Sequence, residues 1–152
     1  MSQLADVRSA WDSAILEHAT LTALTDKIYN YDVNPESTKE FSLLRYDQKI
    51  NFFRFLISRA TKNLMMGQTL RIFEVRCIYS KQLTVDGSGY TDVTDALEVV
   101  QDLVETSLGP TWGDTVDYYR NQDTPPKMIQ SRIENIPVWT GEYLFTGYQL
   151  TG

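Results

Sequence analysis

One histidine and one cysteine in 152 residues set a tight limit on the chemistry open to this chain. A Ser-His-Asp triad would have to use His18, because the base of that arrangement is an imidazole. His18 closes an apolar series, Leu4, Val7, Trp11, Ile15 and His18, spaced three, four, four and three apart. That is one side of a helix, and it reads His18 as a half-buried residue near a helix end with no partner for metal or triad work. A zinc site of the usual Cys and His spacing cannot be written. Carboxylates are plentiful enough for an acid and base pair or a magnesium site, yet nothing singles out a pair. Asp114 and Asp117 are close but flank a strand start, where solvated turn residues are the simpler reading. Gly87-Ser88-Gly89 before a helix has the outline of a phosphate cradle. Its final Gly is followed by Tyr90 and not Lys, and Asp92 and Asp95 would repel the anion. The expectation is a chain with no catalytic residues, no metal and no cofactor.

The residues that remain must be positioned by one domain, 1–152, since this length sits inside the single-domain range. No run approaches the roughly 18 apolar residues of a membrane span, and Met1 to Asp6 lacks the pattern of a secretory leader. Cys77 falls in an apolar run and is expected in the core. The formal charge of −6 argues against general nucleic-acid binding. It is unevenly spread: from Arg45 to Lys81, eight basic residues face two acidic ones, a net of +6 that leaves −12 for the remainder. Such a dipolar chain can orient partners or copies of itself, or it can simply carry solvated charge.

Hydrophobic periodicity predicts an α+β (α/β) fold, mainly antiparallel, packed by an N-terminal helix, Leu4 to His18, and a mid-chain amphipathic helix, Asp92 to Leu108. Thr91 or Asp92 would cap the second helix and Gly109-Pro110 would stop it. Lys27 to Tyr31 reads as a short strand and Asp32 to Lys39 as a loop. Lys49 to Arg59 and Gln68 to Gln82 are extended runs broken by Asn63-Leu64-Met65-Met66-Gly67, and they form a hairpin. In the second run Phe73, Val75, Cys77 and Tyr79 make an apolar face. Strands of about 14 residues reach roughly 45 Å, more than a globule of this size spans, so the hairpin protrudes with Leu64, Met65 and Met66 at its tip unless the tip folds back. Thr115 to Arg120, Met128 to Ile136 and Val138 to Leu150 complete the strands. On the mid-chain helix Asp95, Glu98, Asp102 and Glu105 share one side, with no Lys or Arg in the helix to relieve them.

This order of elements, from the Trp11 and Ile15 helix through the Phe52 to Tyr79 hairpin and the Asp92 to Leu108 helix to the closing Trp139 to Leu150 strand, resembles the tail-terminator (tail-completion) family of long-tailed bacteriophages. The resemblance covers essentially the whole chain as length, order and texture, without a diagnostic motif. It implies a structural virion protein of the tail or neck, assembled in the host cytoplasm. Six subunits would form a homo-oligomeric ring that caps the tail tube and meets the head connector or adaptor, with DNA only as passing cargo and no membrane. The tip, Leu64, Met65 and Met66, with Arg54, Arg59, Lys62, Arg71 and Arg76, is then the candidate interface. The acidic row Asp95, Glu98, Asp102 and Glu105 would meet a neighbouring subunit or line the lumen. Two other readings stand beside this one. One is a different head-tail joining or head-completion subunit. The other is a cone-shaped enzyme or ligand-binding protein similar to the nuclear transport factor 2-like family, which suits the aromatics but gathers its helices earlier in the chain.

Overall fold

The computed structural model describes residues 3–25, 27–30, 50–83, 87–133 and 135–151. The N-terminal apolar stripe forms helix α1 (Gln3–Leu16), with Val7, Trp11 and Ile15 fully buried. The helix ends before His18. That residue takes an extended conformation, and its Nδ1 accepts the Leu21 N–H at 3.3 Å, capping a second helix, α2 (Ala19–Leu24). A break and a new cap therefore replace the expected run of α1 to His18, because the imidazole satisfies a backbone donor that would otherwise be orphaned.

Strand β1 (Lys27–Asn30) lies parallel to the start of β2 (Asn51–Asn63), with Lys27 beside Phe52. The loop expected at Asp32 to Lys39 lies outside the described residues, as do Arg45 and Lys49. From β2 a tight turn, Met65–Gly67, leads into β3 (Thr69–Gln82). The two strands pair without a bulge from Asn51 opposite Lys81 to Asn63 opposite Thr69, which is the expected hairpin.

The mid-chain helix α3 (Ser88–Leu103) starts earlier than its sequence indicated, with Gly87 as N-cap at φ 78°. Thr91 and Asp92 are inside it, and Asp92 pairs with Lys81 of β3 instead of capping. The earlier start follows from Gly89: a Cβ there would lie 3.1 Å from the Gln82 carbonyl oxygen, so only glycine lets the first turn wind against the end of β3 without displacing it. The helix loosens into a π turn over Val104–Leu108 and stops at Gly109, whose N–H donates to the Val104 carbonyl at 3.0 Å.

Beyond it come β4 (Tyr118–Asn121), β5 (Lys127–Ile133) and β6 (Ile136–Thr151). Two expected strands are shifted. Thr115 to Asp117 are not part of β4, because Trp112, Gly113 and Asp114 all adopt left-handed backbone and turn the chain, with the Thr115 N–H donating to Thr111. The run expected to continue to Ile136 ends at Ile133, and Asn135 at φ 66° reverses it into β6. The sheet order is β1-β2-β3-β6-β4, with β5 on the same edge of β6 as β4. All pairings are antiparallel except β1 with β2.

Alternation along the strands sorts the sheet into two faces. Phe53, Phe55 and Ile57 of β2, Phe73, Val75, Cys77 and Tyr79 of β3, and Tyr143 and Phe145 of β6 face α1 and α3 and are buried. A smaller cluster, Ile50, Phe52, Ile133, Ile136 and Val138, forms on the opposite face at the base of the strands. Tyr79 ties the base together, donating to the Leu24 carbonyl at 3.1 Å and forming a very short contact with Asn51.

Two glycines in β6 set how closely the second layer approaches. A Cβ at Gly141 would lie 2.6 Å from Val93 and 2.7 Å from Leu97 of α3, and one at Gly147 would lie 2.5 Å from the Trp112 ring. Gly141→Ala and Gly147→Ala are each expected to destabilise the fold by about 1–3 kcal/mol through overpacking. Urea denaturation measures this, and unchanged midpoints would mean that α3 and Trp112 do not rest on β6.

Candidate functional site, an arm and an acidic helix face

Residues Ser58 to Asn63 of β2 are exposed on both faces, whereas the first half of the strand is mostly buried. Arg59 lies opposite the fully buried Phe73, so Ala60 to Asn63, at about 3.3 Å per residue, carry the sheet roughly 13 Å past the helices. They are supported throughout: β3 pairs with β6 as far as Thr69 opposite Thr151. The protrusion is thus a three-stranded arm, broader than a free hairpin. At its end Met65 and Met66 are 86% and 97% exposed, and Leu64 is also exposed. Of the two conformations considered for this tip, the extended one is realised.

Met66 has φ 63°, a left-handed backbone that disfavours a side chain with a Cβ. The following Gly67 adopts φ 74°, so the pair makes the turn that Asn-Gly would make more comfortably. The arm also leaves backbone unpaired. β1 covers β2 only from Phe52 to Phe55, and among the described residues no strand pairs with the outer edge from Leu56 to Asn63. Arg59 and Lys62 on that stretch are the kind of charged residues that discourage indiscriminate edge pairing.

The candidate cations do not form one patch. Arg59 and Arg71 lie on the helix-side face, as diagonal neighbours given that Arg59 is opposite Phe73 and Arg71 opposite Thr61. Arg54, Lys62 and Arg76 lie on the outer face. Arg76 is engaged there by Glu142 at 3.0 Å. Arg71 donates to Gln149 at 3.3 Å. The outer face of the arm also carries Leu70, Ile72 and Leu150, and Tyr118 stacks on Tyr148 with centroids 4.9 Å apart.

Asp95, Glu98, Asp102 and Glu105 are all exposed along α3 and its π turn, opposite the buried Val93, Ala96, Leu97, Val100 and Leu103. Burial first, and then the Glu105 carboxylate, push the Tyr119 phenol of β4 above its ordinary range.

The residues with reactive potential are occupied otherwise. Cys77 is fully buried, and burial drives its thiol pKa far above the usual value, so the thiolate is suppressed. His18 edges an open cleft with Ala10, Ala14, Ser107 and Leu108, but its Nδ1 is taken by the Leu21 cap. Asp117 accepts the Leu150 N–H at 2.7 Å, and Asp114 is bonded to Thr111 within its turn. Both are exposed, as their sequence context indicates. Pairing of Asp117 with a backbone donor 33 positions away left no local sign. Among the described residues, no group of three or more His, Cys, Asp or Glu side chains is placed to hold a metal ion, and no helix is long and apolar enough to cross a membrane.

No protein-family model matches this chain, and no curated protein is significantly similar to it.

Met66→Asn relieves the left-handed strain without losing the turn, so it is expected to stabilise the isolated protein by about 1 kcal/mol. A urea midpoint that falls instead would show that the Met66 side chain makes stabilising contacts within the monomer.

Proposed function

We propose that this protein is a structural subunit of a bacteriophage tail, a terminator or neck component. It assembles as a ring on the tail tube, caps it and joins it to the head connector or adaptor. The observation that carries the reading is the arm, which holds Leu64, Met65 and Met66 in water at the far end of a stiff three-stranded sheet. Exposed apolar clusters of this kind mark contact sites, because their burial is deferred until a partner arrives. At about 25 cal/mol per Å², burying two methionines and a leucine contributes several kcal/mol to a contact. That is enough to matter in one repeated around a closed assembly.

The chain has a non-catalytic role in this reading. Its cysteine is sealed in the core and its histidine is committed to a helix cap. Trp11, Trp112, Phe145 and Val100 fill the space against the sheet where a cone-shaped ligand-binding fold would keep its pocket. The virion tail or neck is the proposed location, with DNA only passing through the ring.

Replacing Leu64, Met65 and Met66 together with Ser tests the reading. The triple variant is expected to keep the circular dichroism of the native protein while losing the ability to cap tail tubes, scored by negative-stain microscopy of tube ends. Capping at the native level by the triple variant would remove the tip from the function, and turnover of a small-molecule substrate by isolated subunits would replace the structural role with an enzymatic one.

A further inference from the structure

The arm and the helices leave a step in the molecule. The helical layer covers the sheet only to about the level of Phe73 and Gly147, where Trp112 sits, and the arm continues beyond it as a shelf that none of the described helices covers. On the helix side, alternation puts Arg59, Thr61 and Asn63 of β2, Thr69 and Arg71 of β3, and Gln149 and Thr151 of β6 on this shelf. It is polar and basic, with no acidic side chain among these seven residues. The outer face of the same sheet carries Glu74 and Glu142 among its cations. From Arg59 to Asn63 the shelf extends roughly 13 Å along the strands. A helix with its side chains is about 10–12 Å across, so the step has the depth and reach to seat one.

The same molecule displays a helix face of opposite charge that forms no ion pair among the described residues. Asp95, Glu98, Asp102 and Glu105 recur three, four and three residues apart, all exposed, on a helix without a single Lys or Arg. Like charges at these spacings repel by a few tenths of a kcal/mol per pair, a cost that a facing cation removes. Charge also fixes where on the shelf the helix sits. Asp6 and Asp114 line the open cleft where the β6 side of the shelf meets α1, so the attractive part lies toward β2 and β3, at Arg59 and Arg71.

We infer that the acidic face of α3 in one copy of the chain seats on the basic shelf of the next copy, centred on Arg59 and Arg71. This inference rests on the ring-forming reading and assigns the acidic row to the contact between subunits and not to a lumen. The contact is heterologous, joining two different surfaces, so successive copies continue it head to tail until a ring closes. Salt weakens it, because the charges are exposed before contact.

Sedimentation of the full-length protein tests the contact, with tube capping scored separately. Arg59→Glu with Arg71→Glu, and independently Glu98→Lys with Asp102→Lys, are each expected to weaken self-association by roughly tenfold or more. Combining all four substitutions restores it, and Arg59→Lys with Arg71→Lys retains it. Raising salt from about 50 mM to about 500 mM weakens the native contact and leaves the charge-reversed variants little changed. Circular dichroism confirms that each variant is folded. Either double reversal associating as the native chain does overturns the inference, as does a native chain that stays monomeric at roughly 100 μM, far above a micromolar contact. If Arg59→Glu with Arg71→Glu abolishes DNA binding but leaves self-association intact, the shelf serves phosphates and the inference is equally overturned. Caps formed by a reversed variant with native association leave the tail reading standing, whereas native protein that never caps tubes removes that reading whatever the association data show.

Discussion

The pairing of β3 with β6 is the constraint from which the other features follow. It runs without a break from Gln82 opposite Val138 to Thr69 opposite Thr151, longer than any helical layer in the molecule can cover. Its lower half is core, with Tyr79, Cys77, Val75 and Phe73 set against Tyr143 and Phe145 across the ladder. Its upper half is arm. One continuous ladder does both jobs, so the arm inherits the rigidity of a strand pair anchored in a packed interior. An isolated two-stranded hairpin of the same length would be marginal in water, and the third strand makes an arm of this kind sustainable. The glycines in β6 belong to the same constraint. Gly141 lets α3 approach the ladder and Gly147 lets Trp112 do so, so the second layer sits low on the sheet and ends abruptly where the shelf begins.

Much of this architecture is legible in the residue pattern, for identifiable reasons. The hairpin, the burial of Phe73, Val75, Cys77 and Tyr79, and the stop of the mid-chain helix at Gly109-Pro110 rest on period-two or period-3.6 patterns long enough to average over local noise. What was not legible depended on a contact or conformation without periodicity. Capping by His18 uses one ring nitrogen. The early start of α3 depends on the fit of Gly89 under Gln82. The displaced β4 reflects three successive left-handed residues, the first of which, Trp112, is not a type that announces such a turn. The candidate site was legible in composition but not in placement. The tip and the acidic row could be named from spacing alone. The division of Arg59 and Arg71 from Arg54, Lys62 and Arg76 required the phase of each strand relative to the core, which one slip of register would have inverted.

The electrostatics of the chain are consistent with this division. Among the described residues the opposite-charge contacts of Lys81 with Asp92 and of Arg76 with Glu142 are peripheral, and such exposed pairs contribute on the order of 1 kcal/mol or less. The core does not need them, since stacked and edge-on aromatics such as Trp11 against Trp112 at 5.2 Å supply a dry, well-packed interior. Among the described residues, no ion pair joins Asp95, Glu98, Asp102 or Glu105 to a cation. The acidic helix face persists because its repulsions, a few tenths of a kcal/mol each, are small beside the burial of Val93, Leu97, Val100 and Leu103 on the other side of the helix.

Among the described residues, two places hold bulky residues in left-handed backbone, and they differ in what the side chain gains. Trp112, at φ 48°, is fully buried between Gly147 and Trp11, so the strain of its turn is offset inside the monomer by placing a whole indole in the core. Met66, at φ 63°, costs a comparable amount, yet its side chain is almost entirely in water and packs on nothing in its own domain. A turn built only to reverse the chain would be better served by Asn or Gly at that position. Met66 is thus held at the end of the three-stranded arm at a local cost that the stability of the rest of the monomer absorbs, and the paired strands keep it extended into solvent.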